Sequence, residues 1–192
     1  SWLSQRDHAL FLLMYNTGAR VSEIIGIKVG DVVLDANAAC VHLHGKGRKQ
    51  RSVPLWRSTV KAIRAWLHVN PQFESMTPLL PNRCGREMTR ANVTLRLALA
   101  VQHATESQPA LAKRKVSPHT IRHTTAMHLL QSGVDISVIA LWLGHESPVT
   151  THHYVEADLA MKERALAKLH EPDAKIQRYR APDSFLDFLK TL

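Results

Sequence analysis

Cysteine is almost missing from this chain. Its two cysteines, Cys40 and Cys84, form no CxxC pair, which argues against a disulfide framework or a zinc ribbon and fits a reducing compartment. No apolar run approaches the roughly 20 residues that a membrane-spanning helix needs. The start lacks the basic, apolar, small-residue order of a secretory signal. Acidic residues are scarce beside basic ones, 16 against 25. What is present in surplus is positive charge, +9 with histidine neutral. That balance points to a polyanionic partner, either nucleic acid or an anionic membrane surface. With 192 residues, 45% hydrophobic and 21% charged, the chain suits one globular domain, with or without a tail. It opens at Ser1 without a methionine, the expectation for a processed product or an excised fragment.

Hydrophobic spacing predicts a mostly α domain with a small antiparallel β-sheet. A helix is expected over 4–16, capped by Ser4, then a break at Thr17-Gly18 and a short helix over 20–26. Runs 40–44 and 51–55 flank Gly45-Lys46-Gly47-Arg48-Lys49, which reads as a β-hairpin with a basic tip. Helices follow over 56–69 and from Thr89 to about 103, then a loop over 104–117. Ser117 as N-cap and Pro118 at the first helical position open a helix to Gln131. Asp135 caps another that ends at Gly144, and a further helix is expected over 156–170. Residues 1–171 are expected to form the domain and 172–192 a tail, with a small amphipathic helix over 182–192 suited to docking.

Four stretches stand out. They are 17–24 (Thr-Gly-Ala-Arg-Val-Ser-Glu-Ile), the hairpin tip 45–49, Ser117 to His123, and Leu143-Gly144-His145 with Tyr154 nine residues on. They supply arginines, a lysine, histidines and a tyrosine, with no carboxylate cluster beside them. That inventory suits a phosphodiester, because a guanidinium matches two phosphate oxygens and stays charged. His119 and Arg122 lie at i and i+3, on one helix face. His119 and His123 have the spacing of helical zinc ligands. However, Arg122 lies between them and the glutamate of HExxH is missing, so no metal is expected.

In this order and with these gaps, the stretches resemble the tyrosine recombinase (phage integrase) family, over about residues 4–167. The resemblance implies catalytic roles for Arg20, Lys46, His119, Arg122 and His145, with Tyr154 as nucleophile. It implies Glu23 as the acid that buttresses Arg20, and no cofactor. His123 is read as a packing residue that orients a neighbour. Members act on double-stranded DNA as homo-tetramers, and most carry an N-terminal core-binding domain, which is not expected within these 192 residues. The chain is therefore expected in the cytoplasm on DNA, with no membrane partner. Arg48, Lys49, Arg51, Lys113, Arg114 and Lys115 are expected DNA contacts, and Lys49 is the alternative to Lys46. A type IB topoisomerase, a non-catalytic DNA-binding module and a metal-dependent nuclease are the rival readings.

Overall fold

The computed structural model describes residues 1–35, 37–45 and 49–144, together with Glu163, Leu166 and Ala167. Helix α1 (Trp2–Thr17) starts earlier than expected, because Ser1 rather than Ser4 is the cap: its hydroxyl accepts the Ser4 N–H at 3.3 Å. It ends at Gly18, whose N–H donates to Met14 O. Then come α2 (Val21–Ile25), β1 (Val32–Val33), β2 (Cys40–His44), β3 (Gln50–Pro54) and α3 (Arg57–His68). The chain continues through α4 (Arg90–Ser107), α5 (Pro118–Gln131) and α6 (Ile136–Leu143).

The strands form one three-stranded antiparallel sheet in the order β1-β2-β3. Strand β1 was not anticipated, since two residues are too few to show alternation. The hairpin register pairs Val41 with Val53 and Leu43 with Arg51. Val41, Leu43 and Val53 are fully buried, so this face of the hairpin looks into the core. Helix α4 runs past residue 103, because nothing interrupts it until Gln108-Pro109. The expected loop after it holds a 3₁₀ turn, Pro109–Lys113.

Helix α1 packs against α3 and α5 at the centre. Trp66 is fully buried, meets Trp2 edge-on with centroids 4.8 Å apart, and donates its indole N–H to Leu79 O. Asn16 is the polar knot. Its side chain donates to Pro54 O and accepts the Trp56 N–H, and its carbonyl accepts the Trp142 indole N–H. One buried residue thus ties α1 to the end of the hairpin and to α6. Asp7 likewise holds two arginines, Arg6 at 2.8 Å and Arg96 at 2.5 Å. Arg96 is thereby held within the fold. No helix among the described residues is long and apolar enough to cross a membrane.

Two predictions follow from this packing. Gly18 sits at φ 58°, and a Cβ there would lie 2.5 Å from the Leu143 side chain. We expect Gly18→Ala to lower the unfolding free energy by about 1–3 kcal/mol. Urea titration measures this, and a loss below about 0.5 kcal/mol would contradict it. The second concerns His128, which is hydrogen-bonded through Nδ1 to the Tyr15 hydroxyl. Burial holds its imidazole below the ordinary value. The unfolded chain therefore takes up this proton at higher pH than the folded one. Its contribution to stability is complete above about pH 6.5 and declines as pH falls. We expect His128→Gln to flatten the decline in unfolding free energy between about pH 7 and about pH 5. An unchanged slope would assign that decline to other histidines.

Candidate active site

The site is built on the C-terminal end of α6. A helix leaves its last carbonyls without intrahelical donors, and the negative end of its dipole attracts cations there. Here three successive carbonyls each accept a hydrogen bond from a different arginine. Arg51 Nε donates to Trp142 O at 3.0 Å, Arg122 Nη2 to Leu143 O at 2.9 Å, and Arg20 Nη1 to Gly144 O at 3.3 Å. The three arginines come from the turn after α1, from β3 and from α5.

Each is delivered by local structure. Thr17 donates its hydroxyl to Leu13 O and accepts the Ala19 N–H on the same oxygen, shaping the turn that leads to Arg20. Gly18 presents its carbonyl to Arg122 Nη1 at 2.6 Å. Arg122 therefore bridges that turn and the end of α6 from its place on α5. Ser117 caps α5 by accepting the Thr120 N–H. Arg51 points inward because it shares strand parity with buried Val53.

Glu23 is the acid at the centre, with its side chain 3% exposed. It accepts a two-pronged contact from Arg51, at 2.5 Å to Oε1 and 3.0 Å to Oε2. Oε2 also accepts the Arg20 backbone N–H at 2.7 Å, whereas the Arg20 guanidinium stands 3.8 Å from Oε1. Burial pushes the Glu23 carboxyl up. The hydrogen bonds and charge of Arg51, and then those of Arg20, outweigh it and hold the carboxyl below its ordinary value.

Three guanidiniums thus face one carboxylate, leaving two positive charges in excess. Arg122 registers the crowding. Burial, followed by the charges of Arg20 and Arg51, pulls it down to about 10, with Glu23 acting in the opposite sense. It stays fully charged at neutral pH. The described residues engage two of its N–H groups, and Arg20 is half-exposed, so both retain donors for an added anion.

His119 and His123 are both exposed on α5 and meet edge-to-face, with ring centroids 4.4 Å apart. His123 is thus a surface neighbour of His119 rather than a residue packed into the core. Lys49 is exposed and its carbonyl accepts the Gly45 N–H at 2.7 Å, closing the neck of the hairpin. Lys113, Arg114 and Lys115 are exposed ahead of α5. Lys46, Arg48, His145 and Tyr154 lie outside the described residues, as does the tail 172–192.

Arg51 corrects the sequence reading. Expected as a DNA contact, it has a side chain only 9% exposed, spent on Glu23 and Trp142 O. The signal was available: Arg51 and Val53 share parity, so a strand that buries Val53 turns Arg51 inward too. Glu23, expected to buttress the Arg20 guanidinium, grips Arg51 more closely.

Comparison with known proteins identifies the family. The profile of the Phage integrase family matches residues 1–161. The integrase/recombinase protein y4rC of Sinorhizobium fredii is 44% identical over 194 residues, covering 100% of this chain and 57% of that protein. Tyrosine recombinase XerC of Neisseria meningitidis is 42% identical over 175 residues, 91% of this chain and 54% of that one. The crystal structure of the XerH site-specific recombinase bound to its difH substrate, a pre-cleavage complex, superposes with a TM-score of 0.66 at 25% identity. It covers 77% of this chain and 41% of that one. The chain spans about half the length of the curated relatives it matches. With the family profile matched over residues 1–161 and relatives 44% and 42% identical along nearly the whole chain, the protein belongs to the phage integrase family of tyrosine recombinases.

Proposed function

We propose that this chain is the catalytic part of a site-specific recombinase or integrase, which cuts and rejoins double-stranded DNA through a phosphotyrosine. The observation that carries the proposal is the convergence of Arg20 and Arg122 on adjacent carbonyls, directly before His145. Two guanidiniums placed side by side suit the two non-bridging oxygens of one phosphate. The excess of two positive charges matches the dianion formed when a phenolate attacks a phosphodiester.

The steps balance as a pair of ester exchanges. The Tyr154 oxygen bonds to phosphorus as its proton passes to His119. The bond from phosphorus to the 5′ oxygen breaks, and that oxygen takes a proton from Lys46. The product is a 3′-phosphotyrosyl link and a free 5′-hydroxyl. A 5′-hydroxyl from a partner strand then attacks phosphorus and gives its proton back to Lys46, while the tyrosine leaves and recovers its proton from His119. One ester replaces another, so no nucleotide is consumed. Arg20, Arg122 and His145 donate to the phosphate oxygens throughout. Lys49, Lys113, Arg114 and Lys115 supply sequence-independent contacts to the DNA backbone. Strand exchange between two duplexes uses four copies of the protein. The named relatives are recombinases, which favours exchange over simple relaxation.

Incubation with a nicked duplex in EDTA, followed by a denaturing gel, tests the nucleophile. A covalent adduct is expected with the wild type and none with Tyr154→Phe; adducts from both would move the nucleophile elsewhere. For the phosphate clamp, Arg122→Lys is expected to slow adduct formation by about 10²–10³-fold at saturating DNA. A lysine has one nitrogen in place of the two that reach Gly18 O and Leu143 O, and so loses the spread of donors that the guanidinium offers to phosphate. A loss confined to affinity would instead make Arg122 a binding residue only.

A further inference from the structure

In this fold the central carboxylate is not shared evenly among the arginines around it. Arg51 takes both Glu23 oxygens, at 2.5 and 3.0 Å, whereas the Arg20 guanidinium remains at 3.8 Å with its side chain 49% exposed. A buried carboxylate left without a partner is costly and takes the nearest available cation. Arg122 is already fastened to Gly18 O and Leu143 O. Among the described residues, that leaves Arg20, three positions along the same helix turn, as the cation that Glu23 would capture if Arg51 were gone.

We propose that Arg51 is a positioning residue that saturates the Glu23 carboxylate and thereby keeps the Arg20 guanidinium free to face a DNA phosphate. The inference rests on the recombinase reading above. Room for Arg51 is built into the fold. Gly144 has no side chain where a Cβ would stand 2.7 Å from Arg51 Nη1. Arg51 is also locked from its other edge, since Nε donates to Trp142 O. Arg20, by contrast, has one long bond to Gly144 O and faces solvent. One guanidinium is therefore bound internally and the other is kept available. Arg51 itself is too buried to touch DNA.

A double-mutant cycle separates this role from a structural one. Adduct formation is followed with the whole protein on a nicked duplex enriched from a random-sequence pool by the wild type. Rates are taken per folded molecule, well below each variant's Tm. In the wild-type background Arg20→Ala is expected to slow the reaction about a hundredfold. In an Arg51→Met background the same change is expected to cost less than about threefold, because Arg20 is already captured. Adding Glu23→Gln to Arg51→Met is expected to raise the rate about tenfold and to restore dependence on Arg20. An Arg20→Ala factor that is equal in both backgrounds overturns the proposal while leaving the recombinase reading intact. Where Arg51→Met does not fold, Arg51→Lys, which keeps the charge but loses the two-pronged contact, runs the same cycle with smaller differences in the same direction. If the wild type itself forms no adduct on its enriched duplex, the recombinase reading falls and this inference with it.

Discussion

The end of one short helix organises the site. The carbonyls of Trp142, Leu143 and Gly144 have no donors within α6, and each takes one from an arginine. Those arginines reach the point from three separate elements, so a single cap also fastens α1's turn, β3 and α5 to one another. Lysine would serve poorly here. An ammonium is a compact charge, whereas a guanidinium can bond a carbonyl along one edge and still present N–H groups along another. The cap therefore neutralises a helix end and prepares an anion-binding face together.

Such close assembly needs backbone that gives way. Gly18 and Gly144 both adopt the left-handed conformation, at φ 58° and 66°, and each ends a helix. Their second role is clearance. The position a Cβ would take on Gly18 is filled by Leu143 and Thr125, and that on Gly144 by the Arg51 guanidinium. The first glycine brings α6 and α5 against the turn that carries Arg20. The second lets the internal arginine lie against the helix end. Conformation and crowding thus demand the same residue at both points.

Much of this was legible in the sequence. Ser117-Pro118, Asp135 and Gly144 marked helix ends that the structure places at those residues, because capping is local chemistry. The hairpin followed from its glycines and alternating valine and leucine, although β3 begins one residue earlier than read. The start of α1 was misplaced because Ser1 and Ser4 are both capping residue types, and only the hydrogen bond formed in the fold chooses between them. The partnership of Glu23 was less accessible. A motif puts Glu23 next to Arg20 in sequence, but its closest cation comes from β3, through a contact that only tertiary packing creates. His128 shows the same limit. In sequence it is an ordinary helix residue, yet its ring is joined to Tyr15, far away along the chain.

The charge in the site has a cost that its architecture leaves in place. Arg122 is pulled down to about 10 by burial and by two neighbouring guanidiniums, so its charged form is less comfortable here than in water. A second buried carboxylate would relieve that strain. It would also occupy the donors that the proposed phosphate would need, as Glu23 already occupies those of Arg51. With one carboxylate, one arginine is satisfied internally and two remain under-neutralised. The residual repulsion is removed when an anion of matching charge binds, and most fully when that anion gains a further negative charge. On the proposed reading, a cluster with two uncompensated positive charges suits the charge distribution of phosphoryl transfer better than that of the resting protein.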